Sequence, residues 1–138
     1  MAEESLPKDW WDPQAIVERR SDFEAVGRYY DQKGPFWSII WGNELHTGIW
    51  PTPTSTLTMK EAQDRLTDMA IARMQVGPGQ RVLDVGCGTG GPAVRLAEKT
   101  GCSVVGITVS YYQIGEANAL ARSRGVSDRV YFIYANAM

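Results

Sequence analysis

The sequence predicts an α/β chain built on a doubly wound parallel sheet, and two observations carry the prediction. Residues 81–134 alternate short apolar runs (RVLDV, SVVGI, VYFIY) with helical segments, joined by short connections. Strand–helix–strand–helix–strand with such joints implies right-handed crossovers and parallel strands. The second observation is a composition shift near residue 55. All five tryptophans (Trp10, Trp11, Trp37, Trp41, Trp50) precede it, whereas Gly86, Gly88, Gly90 and Gly91 cluster beyond it. Residues 1–57 are therefore expected to form an aromatic segment laid over a regular α/β unit, 58–138.

Each element follows from local signals. Residues 1–20 are polar, with Trp10 and Trp11 as anchors and Asp12-Pro13 as the start of a short helix. Residues 21–32 read as a helix, with Ser21 as cap, Glu24 three residues on, and Phe23, Val26, Tyr29 and Tyr30 apolar. Gly34-Pro35 is expected to end it. The stretch FWSIIWGNELHTGIW gives a short helix followed by an irregular loop, and PTPTST (51–56) a linker. Thr58, with Glu61, caps a helix over 59–75 whose buried stripe is Leu66, Met69, Ala70 and Met74. Gly77-Pro78-Gly79 stops it. RVLDV (81–85) is a buried strand, and Pro92 sits in the first turn of a helix over 92–100, where its missing N–H costs nothing. SVVGI (103–107) is the second strand. Ser110 opens a helix to about Arg124, ended by Gly125, and VYFIY (130–134) is the third strand.

Composition excludes several function classes. A chain of 138 residues and 15.3 kDa makes one domain at most. A net charge of −2 leaves no electrostatic footprint for nucleic acid. No stretch approaches the ~18 apolar residues of a membrane span, and the start MAEESLPKDWW carries acids where a signal peptide has a basic region. Two cysteines, Cys87 and Cys102, are too few for a disulfide scaffold, so a reducing cytoplasm is expected. One histidine and two distant cysteines make no metal set.

The strongest chemical signal is Val82-Leu83-Asp84-Val85-Gly86-Cys87-Gly88-Thr89-Gly90-Gly91. Ligands of open α/β sheets sit outside the carboxyl ends of the strands. Glycines there let the backbone approach a ligand, and the next helix offers N–H groups. Gly86, Gly88 and Gly91 also satisfy the dinucleotide pattern, but two features oppose a nicotinamide or flavin cofactor. Asp84 would repel a pyrophosphate, and the second strand ends Gly106-Ile107-Thr108 with no acid for a ribose. An acid beside the loop suits a ligand with an ammonium or sulfonium group, and S-adenosylmethionine has both.

The D-x-G-x-G-x-G run resembles motif I of the class I S-adenosylmethionine-dependent methyltransferases. Ile40-Trp41-Gly42 with Leu45-His46-Thr47-Gly48-Ile49-Trp50 resembles a segment of tocopherol methyltransferases and of bacterial sugar O-methyltransferases. Leu57–Gln63 is similar to a helix start in cyclopropane fatty acid synthases, and Gly106–Gln113 to a segment shared by these groups. The resemblance implies a Rossmann-like domain whose first half, with three strands, occupies 58–138, under a helical, aromatic-rich lid or substrate cap at 1–57. It implies a small-molecule methyltransferase, with O-methylation favoured over C-methylation. A non-methylating cyclase or binding protein on the same scaffold is the alternative, with a nicotinamide oxidoreductase behind it.

The resemblance also assigns residues. Asp84 would orient the glycine loop and the methionyl ammonium, and Gly86, Cys87, Gly88 and Gly90 would lie along the methionine portion. Thr108, Val109 and Gln113 would hold ribose and adenine, although Ser110-x-x-Gln113 also reads as a plain capping box. Tyr30 and His46 fall where the family closes over the methionyl carboxylate. Asn136, followed by Ala137, stands where relatives usually carry an aspartate, so its bond to the adenine amino group is not charge-assisted. Cys87 reads as a small packing residue in preference to a reactive thiol. The catalytic group is unassigned, and His46, the only histidine, is the one candidate base. The family carries about seven strands, so the C-terminal half is expected from another segment or chain, homo-oligomers included. On that expectation 81–85 is hydrogen-bonded on both sides.

Overall fold

The computed structural model describes residues 23–137. The helix start at Asp12-Pro13, the anchors Trp10 and Trp11 and the Ser21 cap lie outside the described residues. In chain order the elements are α1 (Phe23–Trp41), α2 (Met59–Met74), β1 (Arg81–Val85), α3 (Gly91–Thr100), β2 (Ser103–Thr108), α4 (Tyr111–Ser123) and β3 (Val130–Tyr134).

The three strands form one parallel sheet in the order β1-β2-β3. Residues two apart in a strand share a face, so the register sorts the sheet into two unlike faces. Val82, Val104 and Val130 align on one face, with Asp84, Gly106 and Phe132 beside them. That face packs on Ala93, Val94, Leu96 and Ala97 of α3 and on Ala117 and Ala121 of α4, forming the core. The opposite face carries Leu83, Val105 and Tyr131, then Val85, Ile107 and Ile133. Leu83 is 62% exposed and Ile133 50%, so the described helices wind over one face. β1 pairs with β2 alone among the described residues, and the expected second partner of 81–85 is not part of them.

Three sequence expectations are corrected, the first being the buried strand at 81–85: none of its residues is buried, because among the described residues one face and one edge of β1 stay uncovered. Gly34-Pro35 does not end a helix, because α1 runs through it to Trp41. Pro35 lacks only the N–H that would reach the Asp31 carbonyl. Gly34 is there for close approach, since a Cβ would overlap the Tyr112 ring of α4. In α2 the buried residues are Ala62, Gln63 and Thr67, not the expected stripe. Leu66, Ala70 and Met74 instead line an open groove beside Val82 and Leu83 of β1. The apolar spacing is real, but the surface it faces lies along the free edge of the sheet.

The caps expected at Thr58 and Ser110 are present. Thr58 and Glu61 close a reciprocal box at the start of α2, and this contact lowers the Glu61 carboxyl below its ordinary range. Ser110 caps α4 through the Gln113 N–H at 3.2 Å. Between α2 and α3, Asp68 accepts from Arg95 Nε at 2.6 Å and pairs with Lys99 at 2.7 Å. The Arg95 guanidinium holds the Asp68 carboxyl down at about 2.

Candidate functional site

A parallel sheet aims the ends of its strands at one rim, and connections placed there can converge. Here a cavity of about 420 Å³ opens at the carboxyl ends of the strands. The end of β1 and its turn supply Val85, Gly86 and Gly88, and the end of β2 supplies Ile107, Thr108 and Val109. Gln113 comes from α4, and Ala135, Asn136 and Ala137 follow β3. Val26 and Tyr30 of α1, with Leu45 of the loop after it, close the remaining side.

Local geometry explains why these segments meet. The amides of Gly86 and Cys87 both donate to the Ile107 carbonyl, at 2.9 and 3.0 Å, and lash the glycine turn to β2. Gly86 and Gly88 have φ of 75° and 54°, a region that glycine enters freely. A Cβ on Gly86 would meet nothing within 4 Å, so the turn presents bare backbone to open space. The Thr108 hydroxyl donates to Gln113 Oε1 at 2.6 Å, which couples the end of β2 to α4. Gln113 therefore does not close the reciprocal half of a capping box. Its side chain is turned to Thr108, at the wall of the cavity.

α1 holds this wall through one stripe of its surface. Gly27, Asp31, Gly34 and Ser38 recur at i, i+4, i+7 and i+11 and so share a face. A Cβ on Gly27 would overlap the Val109 carbonyl. Asp31 Oδ1 accepts from the Ser110 hydroxyl at 2.7 Å and from the Tyr112 amide at 3.0 Å. The Tyr112 hydroxyl bonds Ser38 at 3.1 Å. The sequence reading missed Asp31 as well as the lining residues Val26, Leu45, Val85, Ile107 and Ala135. No spacing rule singles them out, because their partners are 43–81 residues away or belong to the wall itself.

The residues expected at the site divide into three groups. Tyr30, Gly86, Gly88, Thr108, Val109, Gln113, Asn136 and Ala137 all line the cavity. Cys87 and Gly90 are packed inward instead. Cys87 is 5% exposed, and burial together with the Asp84 charge pushes its thiol up to about 12. Gly90 precedes α3, and a Cβ there would press on Phe132 and Ala117.

Asp84 and His46 line a different space, the apolar groove between α2, β1 and α3. Burial raises the Asp84 carboxyl above its ordinary value. His46 Nδ1 lies 2.7 Å from the Thr47 carbonyl, and Nε2 lies 3.1 Å from Glu44 and 3.3 Å from the Thr67 hydroxyl. Both ring nitrogens are thus engaged by protein groups. Glu44 is 4% exposed, and Lys60 approaches its other oxygen at 3.5 Å. Buried Gln63 donates to the Glu44 and His46 carbonyls at 2.8 Å each, and Thr89 donates to the Asn43 carbonyl at 3.0 Å. The loop after α1 is stitched both to α2 and to the glycine turn. No described residues cluster as a metal site, and no described helix is long and apolar enough to cross a membrane.

Comparison with known proteins agrees with this geometry. Residues 17–136 match the family described as mycolic acid cyclopropane synthetase. The (+)-O-methylkolavelool synthase of Herpetosiphon aurantiacus is 42% identical over 86% of this chain and 41% of its own length. Among solved structures, the [4+2]-cyclase SpnF superposes with a TM-score of 0.76 at 40% identity, over 83% of this chain and 43% of its own. The geranyl diphosphate C-methyltransferase of Streptomyces coelicolor shares the fold, with a TM-score of 0.70 at 22% identity over 85% of this chain and 49% of its own. The chain spans less than half the length of each of these proteins.

Proposed function

Because the chain belongs to the family described as mycolic acid cyclopropane synthetase, we propose that it is the cofactor-binding part of an S-adenosylmethionine-dependent methyltransferase acting on a small molecule in natural-product biosynthesis. The observation that carries this reading is the cavity where Gly86 and Gly88, residues 107–113 and residues 135–137 converge. Its volume suits a small organic molecule, for which sites span about 300–1,000 Å³. The open space at Gly86 suits a ligand that must approach the backbone closely. No lining side chain is charged, so backbone groups and neutral polar side chains are what the cavity offers a ligand.

When bound, S-adenosylmethionine supplies an electrophilic methyl group on sulfur for in-line transfer to an oxygen or carbon nucleophile. The chain's own part is positioning and exclusion of water. The backbone of Gly86 and Gly88 would lie along the methionine portion, while Thr108, Val109 and Gln113 would hold ribose and adenine. Asn136 would accept from the adenine amino group through its amide oxygen. Tyr30 and Val26 wall the site, so residues 1–57 act as a lid over the first half of a Rossmann-like domain at 58–138. The engaged ring of His46 argues for a structural role over that of a general base. O-methylation is favoured over C-methylation by the resemblance to the O-methylkolavelool enzyme. The C-terminal half of the fold, from another segment or chain, completes β1 and contributes acceptor contacts. A cytoplasmic setting is part of the same reading, supported by the buried free thiols Cys87 and Cys102.

The likeness to SpnF favours one second reading, a cyclase that keeps the cofactor as structure without transferring methyl. The experiment is a panel of candidate acceptors given to the intact protein, read by mass for a gain of one methyl group. Calorimetry with S-adenosylhomocysteine and NADH runs beside it. Methyl gain supports the transferase, and S-adenosylhomocysteine binding with cyclisation but no methyl gain supports the cyclase. A preference for NADH overturns both.

A further inference from the structure

Beside the cavity at the strand ends lies a second space of about 280 Å³, lined by Tyr29, Tyr30, Trp37, Trp41 and Leu45. Tyr30 and Leu45 line both spaces, so the two meet there. The junction is beside the glycine turn, since a Cβ on Gly88 would stand 3.9 Å from Leu45 Cδ1. In the reading above this is the methionine end of the cofactor site, the end that carries the transferable methyl. Tyr30, Trp37 and Trp41 recur at i, i+7 and i+11 and present one face of α1, with Tyr29 alongside.

The chemistry of this second space is unlike that of an anion site. All five lining residues are uncharged, and the polar groups their side chains carry are two phenol hydroxyls and two indole N–H groups. A carboxylate, phosphate or ammonium placed here would lose its hydration without gaining a counter-charge. Tyrosine and tryptophan faces instead give large apolar area to rings and unsaturated chains, with the hydroxyl and N–H edges left to orient a polar substituent. We propose that the Tyr29–Tyr30–Trp37–Trp41–Leu45 pocket is the acceptor site, and that it takes uncharged, ring-bearing or isoprenoid alcohols with the hydroxyl toward the Tyr30–Leu45 junction. The inference rests on the methyltransferase reading of the larger cavity and adds the class of acceptor.

The test uses the intact protein, with the rest of its fold present, saturated with S-adenosylhomocysteine, and three probes: geraniol, 1-naphthol and geranyl diphosphate. The first and last share one hydrocarbon chain and differ in charge. Calorimetry should give geraniol and 1-naphthol affinities about tenfold or more above that of geranyl diphosphate. Geraniol should shift the tryptophan emission of the unaltered chain to the blue, since Trp37 and Trp41 lose solvent. Trp37→Ala and Trp41→Ala should each weaken geraniol about tenfold and leave S-adenosylhomocysteine binding in place, which doubles as the check on folding. Trp41→Phe should restore most of the affinity. Equal affinity for the diphosphate, unmoved emission, or geraniol binding that ignores both tryptophans would overturn the proposal. In the last case the probe sits on the open sheet face. Loss of S-adenosylhomocysteine binding in the unaltered chain, with tryptophan-dependent geraniol binding retained, would overturn the cofactor reading and the acceptor role with it, and would leave only a pocket for uncharged ligands.

Discussion

Gly88 lines the cavity with φ at 54°, so a side chain there faces both backbone strain and the ligand's path. Gly88→Val is expected to abolish S-adenosylhomocysteine binding in calorimetry, and retained affinity would count against the site. Asn136 lines the same cavity. If it meets the adenine amino group, Asn136→Asp adds a charge-assisted acceptor and should preserve or tighten binding by about 1 kcal/mol. A large loss would show that the position does other work. Asp84 makes a prediction about pH. Burial raises its folded-state carboxyl above the ordinary value of 3.8, so the protonated form is the one the fold prefers. Its stabilising contribution is full below that ordinary value and lost as pH rises through the raised one. Asp84→Asn should therefore melt higher than the parent at pH 7, with the difference closing toward pH 4. Equal melting curves at both pH values would refute the sign.

At the scale of elements, the join between α1 and the β2–α4 connection controls one wall of the site. Asp31 caps α4 from a distance of 79 residues in sequence through Ser110. Asp31→Ala should lower stability by about 1–2 kcal/mol, the usual worth of a helix cap, and should weaken S-adenosylhomocysteine binding as residues 108–113 loosen. Unfolding in urea alongside calorimetry checks both. A stability loss with unchanged affinity would confine Asp31 to the fold. These elements also mark what a sequence reveals. β1, α3, β2, α4 and β3 were legible because each apolar run is bounded by glycine or by a cap, and the alternation admits one handedness. Eight of the residues named from sequence converge on one cavity, because motif spacing fixes where strand ends and turns lie. The continuity of α1 was not legible, since Gly34 serves Tyr112, a neighbour 78 residues away. Asp84 and His46 line the groove beside α2 and not the cavity; for Asp84 the alternation along β1 turns the side chain to the α3 side. The stripe of α2 was correctly spaced, yet what it faces depends on the groove beside β1.

For the molecule as a whole, the decisive feature is the uncovered sheet face. Leu83, Val85, Tyr131 and Ile133 are each half or more exposed, and among the described residues β1 has a free edge beside them. Contiguous apolar surface of this kind drives association. The 138-residue chain alone is expected to bind a hydrophobic dye and to sediment as associated or heterogeneous species. A monodisperse monomer with one sharp melting transition would refute the half-domain argument and the claim that a second half adds further acceptor contacts. The stripe at Gly27, Asp31, Gly34 and Ser38 has a different consequence, for motion. Two of its members admit no side chain, and Asp31 holds the first turn of α4. α1 cannot swing outward without breaking the start of α4, so the two should open as one cooperative unit in hydrogen exchange. If α1 is the fixed jamb, the door for a molecule entering the larger cavity is expected among the other described segments of its wall, the loop around Leu45 and residues 135–137.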